Sequence, residues 1–173
     1  MKFLPALFIT SICLAACHKK DAAPTIDFGP NDGITLRDAS GRLQGTSDPT
    51  DWTLDENWNQ QEQDLFKDLG LNLNATAVGT FSRLVAYPNP ITSGQAVFHF
   101  VSPAAVECKL VIVNAKYQVV QPVLTAPAVL DGAFHYDVRN SNFEQGKRYR
   151  LYYIFKNGNT FIAKGHGDIK IGL

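Results

Sequence analysis

The strongest constraint on this chain is a switch to two-residue periodicity in its C-terminal hundred residues. Tyr149, Leu151, Tyr153 and Phe155 fall on one side of a run whose other side is Arg150, Tyr152, Ile154 and Lys156. Successive side chains of an extended strand point to opposite faces, so such a run buries one face. The same alternation recurs at Phe98 and Phe100, at Val106, Cys108, Leu110 and Ile112, and at Phe134, Tyr136 and Val138. Asn157-Gly158 stands between the Tyr149 run and Thr160-Phe161-Ile162-Ala163. Asn-Gly between two β-rich runs is a strong hairpin signal. Further turns are expected at Ser93-Gly94 and Asp131-Gly132, and Gly165-His166-Gly167 reads as a loop before a last strand at residues 168–171. About seven strands result. The expected fold is mainly β: an Ig-like antiparallel β-sandwich with an N-terminal hairpin and one amphipathic helix.

The hairpin is expected where Ile34-Thr35-Leu36-Arg37 and Arg42-Leu43-Gln44 flank Asp38-Ala39-Ser40-Gly41. The helix is expected over residues 53–70. Thr53 and Glu56 have capping-box spacing, Leu54, Trp58, Leu65, Phe66 and Leu69 follow a helical period, and Gly70 suits the C-terminal cap. Trp52 and Trp58 belong to this region. Packing on the sheet is the default for aromatics at that spacing. The alternative is an exposed platform for a glycan, which Tyr149, Tyr152 and Tyr153 could extend.

The start of the chain gives an address. Met1-Lys2 precedes an apolar run of residues 3–16, too short for a permanent span of roughly 20 residues and built like a secretory signal. It ends in Leu14-Ala15-Ala16-Cys17, which resembles the lipobox of bacterial lipoproteins. The resemblance implies that Cys17 carries a diacylglyceryl group. Two acyl chains anchor stably where one does not. Cys13 would leave with the signal and Cys17 would become a thioether. Cys108 is then alone, with no disulfide partner, and reads as a small core residue. The expected organisation is a signal at residues 1–16, a tether at 17–30, a hairpin-plus-helix extension at 31–79 and a β body at 80–173.

A second resemblance rests on Tyr87-Pro88-Asn89-Pro90, the apolar residues 96–101, Leu110-Val111-Ile112-Val113-Asn114 with Val119-Val120, and Phe143-Glu144-Gln145-Gly146 leading to Tyr149-Arg150-Leu151-Tyr152. These residues look like the C-terminal sorting domain of type IX secretion cargo. That domain is an Ig-like β-sandwich of Bacteroidota. The likeness covers residues 84–171 and implies a sandwich at the cell envelope. Two roles follow: the body of an envelope lipoprotein, or a type IX cargo or sorting module.

The chain has 16 basic and 16 acidic side chains, a formal net charge of zero. That argues against a nucleic-acid partner, which normally selects a basic excess. No nucleophile elbow, P-loop, dinucleotide fingerprint, zinc-protease helix or Cys-x-x-Cys pair occurs in the sequence. The acids near residues 48–56 lack the calcium-loop pattern, and no metal or other cofactor is expected. His166 and Asp168, flanked by glycines, are the one pair suggesting a base, and a hydrolase is the reading they would support. The expected function is therefore non-enzymatic. It is a lipid-anchored envelope protein, held to the outer membrane through Cys17, whose β body binds another protein or supports an assembly. Glycan binding through Trp52 and Trp58 is the alternative.

Overall fold

The structure is a computed structural model that describes residues 24–29, 33–45 and 47–172. Residues 1–16 and Cys17 lie outside these. Among the described residues, six strands form one antiparallel sheet: β1 (Thr53–Leu54), β2 (Arg83–Tyr87), β3 (Gln95–Val113), β4 (Val119–Asp137), β5 (Arg148–Asn157) and β6 (Thr160–Lys170). Their order is β1-β6-β5-β3-β2, with β4 on the other edge of β3.

The β3–β4 hairpin organises everything else. Its first half pairs Gln95–Val101 with residues 131–137, and β2 lies on the free side of β3. Its second half pairs residues 106–113 with 119–129, and β5 takes that same free side. Between the halves, Val101 faces Asp131 and Val106 faces Val129. Residues 102–105 of β3 therefore oppose Leu130 alone. Pro103 cannot donate to a ladder, and excess residues on one strand force a bend. At this corner the sheet folds back over its own inner face. It nearly closes where Ile91, just after β2, accepts from Gly172 N at 2.8 Å and donates to Lys170 O at 2.8 Å.

Strand antiparallelism is as expected, but the count and continuity are not. The runs at residues 96–101 and 106–112 are one 19-residue strand. The separate strands expected before and after Gly165-His166-Gly167 are likewise continuous in β6. Gly165 and Gly167 face inward, and their missing side chains are the reason. A Cβ on Gly165 would stand 2.0 Å from Thr53 O, and one on Gly167 would stand 2.2 Å from the Trp52 ring. These glycines are notches for aromatic neighbours, not loop residues.

The inner face holds a dry core. Phe98, Phe100, Leu110, Leu151, Tyr153 and Phe155 are all completely buried. Phe98 of the first β3 half stacks on Tyr153 of β5 at 4.9 Å, and Phe100 meets Phe155 at the same distance. These contacts join segments that share no ladder, so the rolled sheet closes on aromatic rings. Cys108 is fully buried here, as a core residue should be.

A second core lies on the outer face of β3, β5 and β6. Val111, Val113, Tyr152, Ile154 and Phe161 meet Ile26, Phe28, Trp58, Phe66 and Leu73 from the N-terminal third. The expected helix over residues 53–70 is corrected. Thr53 and Leu54 instead pair with His166 and Gly165 as β1. The α-helix is one short turn, α1 (Gln60–Asp64), with Asn59 and Glu62 forming the capping box in place of Thr53 and Glu56. A 3-10 turn, Lys67–Leu69, follows and ends at Gly70 in the left-handed region. The helical spacing did not mark one face: Leu54 packs on the inner core, whereas Trp58, Leu65, Phe66 and Leu69 pack on the second core. Within the stretch expected as a tether, Ile26 and Phe28 are buried.

The expected hairpin is present as a small loop. Arg37 bridges Leu43, and Asp38 O accepts from Gly41 N at 2.9 Å. Asp38 also accepts from Ser40 N and Arg42 N, which fixes the turn.

Candidate functional site

The densest set of ionisable groups lies where the cap meets β5 and β6. On β6, Lys164, His166 and Asp168 alternate with the inward-facing Ala163, Gly165 and Gly167. In register across the ladder stand Ile154, Tyr152 and Arg150. The strand period therefore sets three polar β6 side chains in a row under the cap, and each takes a different partner.

Asp168 is buried and bidentate with Arg150, at 2.7 Å from both Nε and Nη2. Burial pushes its carboxyl up, and Arg150 opposes that. Arg150 also donates to Asp27 O at 3.0 Å, tying in the first described residues. Asp51 sits beside this pair. It accepts from Asp168 N at 2.6 Å and from Thr35 N at 2.7 Å. Desolvation outweighs these bonds and raises its carboxyl to about 7. Asn89 completes the layer. Its Nδ2 donates to Thr35 O and Asp168 O, and its Oδ1 accepts from Lys170 N. The Tyr87-Pro88-Asn89-Pro90 segment thus holds a stitch between hairpin, β2 and β6.

His166 Nδ1 lies 2.8 Å from Asp55 Oδ2, which also accepts from Trp58 Nε1 at 2.6 Å. Lys164 is fully buried, donates to Glu56 O and lies 5.7 Å from the Trp58 ring centre. Burial lowers its ammonium pKa. Tyr152 OH donates to Glu62 Oε1 at 2.9 Å, and burial raises its phenol.

The His166–Asp168 base is corrected. The two share a face but not a bond: Asp168 is held by Arg150 and His166 by Asp55. Each carboxylate already accepts from donors that hold it in place, an arrangement suited to joining a cap to a sheet. The glycan platform is corrected as well. Trp52 is 8% exposed and Trp58 3% exposed. Trp52, in the left-handed region with φ 60, lies over Gly167. Trp58 stands edge-on to Tyr152 at 5.3 Å. Tyr149, Tyr152 and Tyr153 are buried too. A platform needs rings open to solvent, and these fill cores.

Among the described residues, no three His, Cys, Asp or Glu side chains gather closely enough to hold a metal ion. Cys108 is the single described cysteine, and burial raises its pKa well above the ordinary value, keeping it a thiol. His99 and His135 lie on the far outer face of the first β3–β4 half. His99 Nε2 meets Asp131 at 2.6 Å, and His135 is exposed. His135 borders a shallow cavity of about 280 Å³ with Tyr87, Gln95 and Asp137.

Sequence reasoning missed that Arg150 and Asp51 meet Asp168, that Asp55 meets His166 and that Lys164 meets Glu56 O. The available signal was the polar side of β6, Lys164-x-His166-x-Asp168, opposite a small-residue side. Read at period two, it demands partners from elsewhere in the chain.

No family model matches the sequence, and no curated protein matches it. Among solved structures, the chain is similar to Pseudomonas fluorescens alkylpurine DNA glycosylase AlkC bound to DNA containing an abasic-site analogue, at 12% identity and a TM-score of 0.34. The likeness covers 65% of this chain and 35% of that one, so the chain spans about a third of its length. At that level it bears on neither fold nor activity.

Proposed function

We propose that the chain is a lipid-anchored protein of the bacterial cell envelope whose β body engages another protein and performs no covalent chemistry. The observation that carries the anchor is Leu14-Ala15-Ala16-Cys17 after a basic start and an apolar run. The body itself is proposed as an Ig-like sandwich variant, its two layers being the halves of the bent β3–β4 hairpin with their neighbours.

Support for an interaction role comes from the edge of β4. This 19-residue strand pairs with β3 alone among the described elements. Its first half contains Pro122 and Pro127, which block strand addition. Residues 128–137 have no proline and expose Leu130. An unpaired, proline-free edge is a template for an added strand.

The test has two measurements. Intact mass of the mature protein should show a diacylglyceryl adduct on Cys17, lost in Cys17→Ser; a mature Cys17 without lipid refutes the anchor. A photo-crosslinking residue at Ala133 on the β4 edge should give a discrete envelope adduct absent when the probe sits at Asn159. Equal labelling at both positions, or none at either, refutes the edge.

A further inference from the structure

We propose that the pole of the body bearing the β3–β4 turn lies against anionic lipid headgroups, with Lys116, Lys147 and Arg148 as the contacting cations. This rests on acylation of Cys17 and goes beyond it by assigning the surface that meets the membrane.

The path of the first described residues carries the inference. Phe28 lies under Arg148 and Arg150 on β5, at 4.9 and 5.5 Å from the guanidinium carbons. Asp27 O accepts from Arg150, and Ile26 N donates to Ala115 O at 2.8 Å. Followed backwards, the chain crosses β5 and then the end of β3, and leaves the body at the 114–118 turn. That turn is a fixed structure. Asn114 Oδ1 accepts from Lys116 N and Gln118 N, and Tyr117 is held in the left-handed region with φ 59. Tyr117 stacks on Tyr152 with ring centres 6.4 Å apart.

Length makes the exit point matter. Nine residues from Cys17 to Ile26 span at most about 30 Å when fully extended. β5 runs from this pole to the opposite one in ten residues, about 33 Å at the usual strand rise. A lipid on Cys17 cannot lie beneath the far pole unless its tether runs the full height of the body.

Charge agrees. Val113 is in register with Arg150 and Arg148 with Lys170, so the β3–β4 turn and the start of β5 share one end. That end exposes Lys116 and Lys147, with Arg148 half-buried over Phe28. Carboxylates near that end are Asp27, which caps Gly29 N at 2.8 Å, Glu144, Asp48 beside Gly29, Asp168, which Arg150 neutralises, and Glu62, which accepts from Tyr152 next to Tyr117. Val119, half exposed, adds an apolar side chain beside the turn. At the other end, Lys156 is neutralised by Glu107 at 2.6 Å, and the 157–160 turn has no charge. Basic side chains near an anionic leaflet each gain about 1 kcal/mol.

The experiment uses the full acylated chain in vesicles of phosphatidylethanolamine and phosphatidylglycerol. Val119→Cys and Asn159→Cys are each labelled with a fluorophore, and headgroup-spin-labelled lipid is the quencher. Cys108 is buried, and the acylated Cys17 thiol is blocked, so the label goes to the new cysteine. Quenching should be stronger at position 119 than at 159 by about threefold or more, because a headgroup spin label quenches only near contact and position 159 lies at the opposite end of β5, about 33 Å away at the usual strand rise. Lys116→Glu with Lys147→Glu should remove that difference. Equal quenching on protein whose mass confirms the lipid overturns the docked pole while leaving the anchor intact. A difference unmoved by the charge reversals overturns the cation contacts. A mass without lipid overturns both readings.

Discussion

The two cores of this protein are built on opposite faces of the same strands, yet they are held by different physics. Inside, Phe98, Phe100, Tyr153 and Phe155 interlock, and the polar atoms among them are few and not all paired: Tyr153 OH donates to Thr53 O at 2.7 Å, while Trp52 Nε1 and Tyr136 OH are buried with no hydrogen-bond partner among the described residues. Outside, Trp58, Phe66 and Phe28 share their space with Asp51, Asp55, Arg150, Lys164 and Asp168. The inner core can be stable through burial alone. The outer one depends on polar partners that are costly to leave unmade. A closed sheet gains from apolar contact in any direction, whereas a cap of irregular chain must be fixed in one position, and hydrogen bonds are directional.

The largest expected effect tests the inner core. Phe98→Ala removes a fully buried ring that touches Trp52, Phe100, Phe134 and Tyr153. A loss of about 3–5 kcal/mol is expected, read from urea unfolding by far-UV circular dichroism. The whole sheet should melt in that one transition. A loss below about 1 kcal/mol would mean that the bend at residues 102–105, not the aromatic contact, holds the two halves together.

How far this division could be read in advance follows from the kind of core. The β5 alternation needed only the residues themselves, and Tyr149, Leu151, Tyr153 and Phe155 do face inward together. The 157–160 turn and the small hairpin at Asp38 were equally local. The cap was not. Trp58 owes its place to Tyr152, Asp55 and Asn74, the last donating and accepting from 16 residues away. Gly165 and Gly167 looked like a loop because their reason lies in Trp52 and Tyr153. His166 and Asp168 looked like a pair because spacing reveals a shared face but not which partner the other side of the fold supplies. The resemblance of Leu14-Ala15-Ala16-Cys17 to a lipobox, by contrast, is read from the sequence alone, and these residues lie outside the described ones.

The second effect sharpens the comparison through pH. Asp51 is buried between hairpin and β6, facing Thr35, Asp168 and, through Asp168, Arg150. Its carboxyl is raised to about 7 by desolvation, against about 3.9 in an unfolded chain. The folded state therefore binds the proton more tightly. Asp51 contributes stability in full below about pH 4 and loses it as pH rises through about 7, by at most about 4 kcal/mol. Asp168, also raised by burial, acts in the same direction. Asp51→Asn keeps one acceptor for two backbone donors, so it is less stable at low pH. Its urea midpoint should fall less than the parent's between about pH 4 and 7. A parent midpoint that climbs over that window, or parallel curves for the two proteins, would show that Asp51 stays charged at no cost.

The smallest effect isolates one directional bond in the outer core. Trp58 is 3% exposed, and its Nε1 donates to Asp55 at 2.6 Å, the same carboxylate that meets His166. Trp58→Phe keeps most of the ring against Phe66 and Tyr152 but removes the donor. Loss of one bond to a charged acceptor predicts a cost of about 1.5–3 kcal/mol, part of it from the smaller ring. The response should be local: amide exchange should quicken at Asp55 and at α1, while Phe98, Leu110 and Leu151 in the inner core keep the parent's protection relative to global stability. If protection falls equally in both places, cap and sheet unfold as one unit. The polar row on β6 would then be part of the same cooperative core rather than the clasp that holds the cap to it.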